Sequence, residues 1–224
     1  MTTKLWIADF GYDQALRAFE TSMGKLGLDY LDLYLLHWPV PKEFEKTLVS
    51  YKAAEKLLAD GRVRAIGVSN FNPNHLQTLL ERTSVVPVVN QIELNPLFSQ
   101  NALRDVNAQR GIVTESWSPI GGGKNVARVL QNPQIRALAT QHGKTPVQVV
   151  LRWHLQHGLV AIPRSVNPQH IAENFDIFDF ELSSTDMATI DALNLNERVG
   201  PDPGTFDLAA FEALVASRGD GRAR

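Results

Sequence analysis

The 224-residue sequence contains no cysteine, which excludes disulfide bonds, thiolate-bound zinc and a cysteine nucleophile. No apolar run approaches the roughly 20 residues that a membrane-spanning helix needs, and the first residues lack the basic and then apolar pattern of a secretory signal. An excess of one charge is also absent, since 22 Lys and Arg stand against 24 Asp and Glu. We therefore expect a cytoplasmic protein that binds neither nucleic acid nor a membrane.

The composition is that of a globular chain, with 44% hydrophobic and 21% charged residues. Short apolar runs rich in β-branched residues alternate with longer amphipathic segments. The runs lie at 1–7, 30–36, 63–68, 88–92, 112–116 and 159–162. Their nearly continuous apolar character is typical of strands that are buried on both faces, as in parallel sheets.

The segments between these runs have the spacing of helices. From Tyr12 to Leu26 and from Glu45 to Leu58, apolar residues recur at steps of three and four. Four pairs predict a helix N-cap followed by proline: Asn72-Pro73, Asn132-Pro133, Thr145-Pro146 and Asn167-Pro168. Four glycines mark predicted helix C-termini: Gly61, Gly111, Gly143 and Gly158. The sequence thus predicts six strands, each followed by helix.

Strict alternation of strand and helix leaves two architectures, a doubly wound open sheet or a (β/α) barrel. An open sheet predicts a glycine-rich turn after its first strand, and no G-x-G-x-x-G motif follows Ile7. Chemically distinctive residues instead follow the predicted strands, where barrels carry their function. We predict a (β/α)₈ TIM barrel with about six of its eight βα units in this chain. We place the barrel domain at 1–205 and a C-terminal tail at 206–224, with a short helix near 206–215 and a frayed end at 218–224.

The last two predicted strand ends favour an anionic ligand. A glycine-rich loop runs from Ser118 to Lys124, and its backbone can approach a ligand closely. Further on, Arg164 precedes the first turn of a predicted helix and His170 lies within it, where acidic residues are usual. Because a helix N-terminus attracts anions, this pattern predicts a phosphate site, with a solvated basic turn as the alternative.

Other strand ends carry single candidates for chemistry. His37 follows the strongest apolar run, so it is either a catalytic histidine or a hydrogen-bonded core residue. Lys4 lies near the end of the first run. If it points into a barrel mouth, its ammonium requires a partner; if it is a solvated lysine at the edge, it does not. Trp117 either provides a flat face on which a ligand stacks or packs its indole into the core.

Two further groups support competing hypotheses. Glu93 and Glu115 end consecutive strands, as the paired acids of barrel glycoside hydrolases do, although Glu93 could equally pair near Asn95-Pro96. The remaining helical histidines, His75, His142, His154 and His157, have no suitably spaced acidic partner. We expect them to lie at the surface and predict no metal site.

Taken together, the strand-end residues resemble the aldo-keto reductase superfamily, above all bacterial members that reduce small carbonyl compounds. The similarity covers residues 1 to about 205, and six motifs occur in the family's order. These motifs are Thr3-Lys4-Leu5-Trp6, the stretch from Leu31 to Pro39, Ile66-Gly67-Val68-Ser69-Asn70-Phe71, Asn90-Gln91-Ile92-Glu93, Trp117-Ser118-Pro119-Ile120-Gly121, and Ile162-Pro163-Arg164-Ser165 continuing to Glu173-Asn174-Phe175.

The resemblance implies a cytosolic barrel that binds NADPH and reduces aldehydes or ketones to alcohols by hydride transfer. By motif match, Lys4 and His37 are catalytic. We also expect Trp6 and Trp38 to form walls of the substrate pocket. The match assigns cofactor contacts to ten residues: Ser69, Asn70, Gln91, Trp117, Ser118, Arg164, Ser165, His170, Glu173 and Asn174. Among them, Trp117 matches the aromatic residue that stacks on the nicotinamide, and Arg164 and Ser165 match the pair at the ribose phosphate.

Two departures from the family pattern modify these expectations. Arg164 stands where the family usually has lysine, which keeps the charge. His170 stands where the family often has arginine, and because a neutral imidazole binds a phosphate less firmly, discrimination against NADH is expected to be weak. The family's catalytic aspartate and tyrosine lie upstream of the Thr3-Lys4 motif, and Tyr12 and Asp13 do not match them. We therefore expect an N-terminally truncated reductase, poorly stable and nearly inactive alone but monomeric at full length. The alternatives are a non-catalytic dinucleotide-binding barrel and a glycoside hydrolase that uses Glu93 and Glu115.

Overall fold

The computed structural model of the protein describes residues 1–123 and 125–217, and the predictions for Lys124 and for 218–224 lie outside them. The described part contains six strands, which form one sheet in the order β1-β2-β3-β4-β5-β6. The strands are β1 (Thr2–Leu5), β2 (Leu33–Leu36), β3 (Ile66–Ser69), β4 (Val89–Glu93), β5 (Val113–Trp117) and β6 (Val160–Ala161). Each lies within or overlaps one of the six apolar runs, which confirms their interpretation as strands.

Ten α-helices occur in the described residues. They are α1 (Tyr12–Leu26), α2 (Phe44–Ala59), α3 (Pro73–Arg82), α4 (Asn101–Gln109), α5 (Asn125–Leu130), α6 (Pro133–His142), α7 (Pro146–Gln156), α8 (Pro168–Phe175), α9 (Ser184–Asp191) and α10 (Leu208–Ser217). All four predicted prolines occupy the first helical position. The side chain of Thr145 accepts a 3.2 Å hydrogen bond from the amide of Gln148, and the Gln148 side chain accepts one from the Thr145 amide. This reciprocal pair fixes the start of α7.

The chain divides into two compact units, one made of residues 1–90 with 201–224 and the other of 91–200. In the first unit, β1 pairs in parallel with β2, with Lys4 opposite Leu35, and β2 pairs in parallel with β3. Helix α1 covers these strands, and its fully buried Phe19 packs edge-on against Tyr34, with ring centroids 5.3 Å apart. The apolar face of α1 therefore supplies the outer core of this unit.

One glycine sets the spacing of the strands in this unit. A Cβ on Gly67 of β3 would lie 2.7 Å from Leu35 Cδ2 and 2.7 Å from the Val89 oxygen. Only a residue without a side chain fits between these neighbours.

In the second unit, β5 pairs in parallel with β6, with Glu115 opposite Val160 and Ser116 opposite Ala161. Helix α7 contributes the largest core side chain, Trp153, whose indole N–H donates to Asp191 at 2.8 Å. His154, the next residue, is also fully buried, and its ring nitrogens lie 2.9 and 3.3 Å from the Val150 and Leu94 oxygens. The expectation of a surface position was therefore wrong for His154, whose single N–H can donate to one of these two carbonyls. It was also wrong for His75, which is buried at the start of α3 and accepts the Asn72 amide at 3.2 Å.

The described residues contain no helix that combines the length and the apolar character needed to cross a membrane. Residues 206–215, expected to hold a short helix, contain most of α10. The proposed domain boundary at residue 205 stays a prediction.

Candidate functional site

The catalytic candidates of the first unit lie on neighbouring strands. Lys4 is a half-buried residue of β1, and His37 is the first residue after β2. The His37 amide donates a 3.1 Å hydrogen bond to the oxygen of Leu5, which ties the end of β2 to that of β1. The parallel register therefore places both candidates at the same edge of the sheet, as their sequence positions predicted.

The environment of His37 keeps its imidazole neutral. Burial and then the positive charge of Lys4 lower the pKa of His37 from 6.5 to about 4. At neutral pH the ring therefore carries one N–H donor and one acceptor nitrogen, with no net charge. A neutral imidazole in this position can donate a hydrogen bond to a carbonyl oxygen without acting as an acid.

The loop after β3 is hydrogen-bonded to the backbone of His37. The side-chain amide of Asn70 donates to the His37 oxygen at 3.0 Å and to the hydroxyl of Ser69 at 3.1 Å. Asn70 adopts a positive φ of 65°, a conformation that asparagine tolerates better than most residues. Ser69 and Asn70 are both buried. Two predicted cofactor residues thus also position the backbone of a predicted catalytic residue.

Sequence reasoning assigned no role to Asn90, which holds the same loop. Its side-chain amide donates to the Phe71 oxygen at 2.9 Å, and its Oδ1 accepts from the Phe71 amide at 3.3 Å. Asn90 is completely buried in β4. A polar residue inside the apolar run 88–92 was the signal that could have identified it, because buried amides require partners.

Aromatic residues surround His37. Trp6 packs edge-on against the His37 ring at 5.0 Å and against Phe211 of α10 at 4.7 Å. Trp38 packs against Phe206 with centroids 4.2 Å apart, and both rings are buried. The C-terminal segment 201–217 thus contacts both tryptophans predicted to form the substrate pocket.

In the second unit, Gln91 is the middle residue of β4 and Trp117 is the last residue of β5. Gln91 is buried, and its side-chain amide donates to the carboxylate of Glu115. Trp117 is half-buried. Ser118, the next residue, has a positive φ of 52°, and its oxygen accepts a 2.9 Å hydrogen bond from Gly121, which closes the start of the glycine-rich loop.

The two carboxylates of the hydrolase hypothesis have separate structural partners. Both oxygens of the fully buried Glu93 accept backbone hydrogen bonds, from Val199 at 2.8 Å and from Gly200 at 2.9 Å. Glu115 accepts the amide of Gln91. Structural hydrogen bonds thus occupy both side chains, and the hydrolase alternative stays a hypothesis.

The predicted phosphate residues lie around the start of α8. Arg164 and His170 are exposed, and Ser165 is half-buried. The Ser165 hydroxyl accepts the Asn167 amide at 3.1 Å, and the Asn167 side chain caps α8 by accepting the Gln169 amide at 2.9 Å. These bonds fix a short turn that carries two basic side chains at the positive end of a helix.

The two predicted adenine contacts lie further along α8. Glu173 is half-buried and accepts the side-chain amide of Gln169 at 2.9 Å. Asn174 and Ser165 are the polar members of the lining of an otherwise apolar cavity of about 420 Å³, which Leu159, Ile171 and Phe178 also line. A hydroxyl and an amide in an apolar lining are typical of small-molecule sites.

Parallel strands, interleaved helices and polar residues at the strand ends define an α/β protein of the (β/α)-barrel class. The family model described as Aldo/keto reductase family matches residues 1–195. An aldo-keto reductase of Mycolicibacterium smegmatis is 56% identical over 208 residues, covering 93% of this chain and 74% of the relative. Morphine 6-dehydrogenase of Pseudomonas putida is 52% identical over 224 residues, covering 96% of this chain and 75% of the relative.

A solved structure agrees with these relatives. The crystal structure of a variant of the protein Gox0644 in complex with NADPH superposes with a TM-score of 0.88 and is 48% identical, covering 92% of this chain and 75% of that one. The chain therefore belongs to the aldo/keto reductase family, a family of oxidoreductases. This result confirms the predicted family, fold class and enzyme class.

Proposed function

We propose that this chain serves the NADPH-dependent reduction of aldehydes and ketones to alcohols. The proposal rests on one observation: Lys4 and a neutral His37 lie at the same edge of the sheet, in a chain that belongs to this family. When bound, NADPH would supply the hydride that reduces the carbonyl carbon, and water would supply the proton that completes the alcohol.

The residues present fit such a cofactor. Arg164 and His170 offer a cation and an imidazole at the capped N-terminus of α8, and Ser165 adds a hydroxyl. This donor set suits a phosphate group, because guanidinium, hydroxyl and helix amides all donate hydrogen bonds to anions. We assign the 2′-phosphate of NADPH to these side chains and the adenine to Glu173 and Asn174.

The nicotinamide end is assigned to strand-end residues of each unit. Ser69 and Asn70 in the first unit, and Gln91 in the second, offer hydroxyl and amide groups suited to a carboxamide. Trp117 offers the aromatic face for stacking, and Ser118 stands beside it at the start of the glycine-rich loop. Buried amides fixed by their own hydrogen bonds make an ordered rather than an adaptable site.

His37 and Lys4 act on the substrate. The neutral imidazole of His37 donates a hydrogen bond to the carbonyl oxygen and polarises the bond, while Lys4 supplies positive charge where negative charge develops. The buried hydroxyls of Tyr34 and Tyr51 are poor proton donors, since burial raises the pKa of each. Because no residue of this sequence matches the family's catalytic aspartate and tyrosine, we expect the 224-residue chain to turn over slowly.

The test has a binding arm and a turnover arm. NADPH is titrated against the chain by tryptophan fluorescence, with Arg164→Ala and, as a control, Arg136→Ala on α6. We expect saturable binding, with Kd raised about fivefold in Arg164→Ala only, since one exposed charge contact contributes about 1 kcal/mol. Absence of saturable binding would overturn the proposal.

The turnover arm follows NADPH oxidation with a small aldehyde and a small ketone. If turnover is measurable, we expect Lys4→Met and His37→Gln to lower kcat about 100-fold or more, as for groups that stabilise a transition state. Binding without any turnover in the wild-type chain would instead favour the non-catalytic dinucleotide-binding alternative.

Three finer assignments belong to the same proposal. Because His170 is an imidazole rather than a permanent cation, we propose that NADH is also accepted. We propose that the full-length protein is a monomer, which light scattering of that protein checks, and that its location is cytoplasmic, which fractionation of expressing cells checks.

A further inference from the structure

Glu93 is a carboxylate at the end of β4 with no exposed surface. A buried carboxylate is costly unless hydrogen bonds replace its water. Here its two oxygens accept the consecutive amides of Val199 and Gly200, at 2.8 and 2.9 Å, and Arg198 lies 4.0 Å away. Bonds to an ionised acceptor are about twice as strong as neutral ones, so the carboxylate holds this backbone firmly.

The held backbone lies directly against Trp117. A Cβ on Gly200 would lie 2.5 Å from Cη2 and 3.3 Å from Cζ2 of the Trp117 indole, and 3.0 Å from Glu93 Oε2. Gly200 therefore fills the space between the Glu93 carboxylate and the edge of the indole, and a larger residue there would displace the indole. The φ of Gly200 is not positive, so the need for glycine comes from this close approach.

A second contact fixes the same segment. The guanidinium of Arg198 lies over the ring of Phe98, 4.7 Å from its centroid. Arg198 is only partly exposed, which strengthens a contact between a cation and an aromatic face. The segment 198–200 thus has one attachment through a side chain and two through its backbone, all within the second unit.

We propose that Glu93 is a positioning residue, which fixes the plane of the Trp117 indole by holding Val199 and Gly200 against its edge. The inference rests on the proposed function, in which that indole stacks on the nicotinamide. Glu93 thereby acts on the cofactor without touching it. Loss of the carboxylate frees the segment and lets the indole rotate, which weakens binding of the nicotinamide half and leaves the adenine half unchanged.

The experiment compares two ligands, NADPH and adenosine 2′,5′-bisphosphate, which lacks the nicotinamide. Glu93→Gln keeps the shape of the side chain but can accept only one of the two amides. Gly200→Ala keeps the carboxylate and pushes directly on the indole. Glu197→Gln, one residue before the segment 198–200 and paired with Arg128, is the matched control. Binding is followed by tryptophan fluorescence, and circular dichroism and thermal unfolding establish that each variant is folded.

We expect Glu93→Gln and Gly200→Ala to raise the Kd of NADPH about tenfold, because the displaced indole stacks less well on the nicotinamide. The Kd of adenosine 2′,5′-bisphosphate stays within about twofold of wild type. The emission of Trp117, obtained by difference from Trp117→Phe, shifts in both variants and not in Glu197→Gln. If Glu93→Gln does not fold, Gly200→Ala carries the test alone.

Two results would contradict these ideas in distinguishable ways. If the wild-type chain binds NADPH but both variants bind it equally well, or lose both ligands in parallel, the positioning role of Glu93 is wrong while the proposed function stands. If the wild-type chain binds neither ligand, the proposed function is wrong and the role of Glu93 falls with it.

Discussion

The side-chain amide of Asn70 donates a 3.0 Å hydrogen bond to the backbone oxygen of His37. Asn70 follows β3 and His37 follows β2, so the bond links the ends of two strands. It fixes the backbone of His37, the catalytic candidate. Because Asn70 is buried, water cannot replace this hydrogen bond if the side-chain amide is removed. The stability of the first unit therefore depends on the donor group of Asn70.

Asn70→Asp tests this dependence, because aspartate has the same shape and also tolerates a positive φ but cannot donate. We expect the free energy of unfolding to fall by about 1–3 kcal/mol, since the His37 oxygen is left unsatisfied beside a buried carboxylate. Urea denaturation measures this change. Asn74→Asp, at an exposed position in the first turn of α3, is the control and should change stability by less than about 0.5 kcal/mol.

His37 predicts a pH dependence of stability. Its pKa in the folded protein is about 4, against 6.5 for the free side chain, so the unfolded chain binds more protons between these values. Stability therefore rises with pH across this window and is lost on acidification. Compared with wild type, His37→Gln should lose about 2 kcal/mol less between pH 7 and pH 5.

Urea denaturation at the two pH values measures this difference. The pKa of His154, also lowered to about 4 by burial, affects both proteins equally and cancels in the comparison. Equal losses in wild type and His37→Gln would show that the imidazole is not held neutral by the fold.

The packing of Phe206 on Trp38 predicts a large cost for its removal. Phe206 is 4% exposed, with its ring 4.2 Å from that of Trp38, so Phe206→Ala should destabilise the protein by about 3–5 kcal/mol. Phe178→Ala removes the same ring from a side chain that is 68% exposed and should cost less than about 1 kcal/mol. Similar thermal unfolding of the two variants would contradict the burial of Phe206.

A change at His170 tests the phosphate assignment. Arginine there adds a permanent charge at the start of α8, so His170→Arg should raise the preference for NADPH over NADH about threefold at low salt. The ratio of the two Kd values, measured at two ionic strengths, gives the effect and its screening. Gln141→Arg adds the same charge to an exposed position of α6 and should leave the ratio unchanged. An equal change in both variants would indicate a general charge effect.

Much of the fold was predictable because its signals are local. Asn132-Pro133, Thr145-Pro146 and Asn167-Pro168 each place a cap and a fixed φ at a helix start, and such signals act within one turn. Strand ends were less predictable. The run at 30–36 begins before β2 does, because Leu31 makes only an isolated bridge to Val63.

The positions of candidate residues were predictable where a single residue type at a strand end indicates the chemistry. Contacts between residues distant in sequence were not predictable. Lys4 lies near the end of β1 and His37 follows β2, so their shared edge follows from parallel pairing alone. The role of Glu93 required amides about a hundred residues away in sequence, at Val199 and Gly200. The burial of His154 likewise depends on the Leu94 carbonyl, which periodicity does not reveal.

The first unit is interrupted in sequence, which affects how the protein can be made. Its final segment supplies Phe206 for Trp38, Asp207 for an ion pair with Lys42 and Phe211 for Trp6. A ribosome synthesises residues 91–200 before that segment, and this synthesis takes roughly 5 to 20 seconds at ordinary rates. Throughout this interval the nascent chain carries two tryptophan side chains without these aromatic partners, a surface suited to chaperone binding. The first unit can complete its folding only after residues 201–217 have been synthesised.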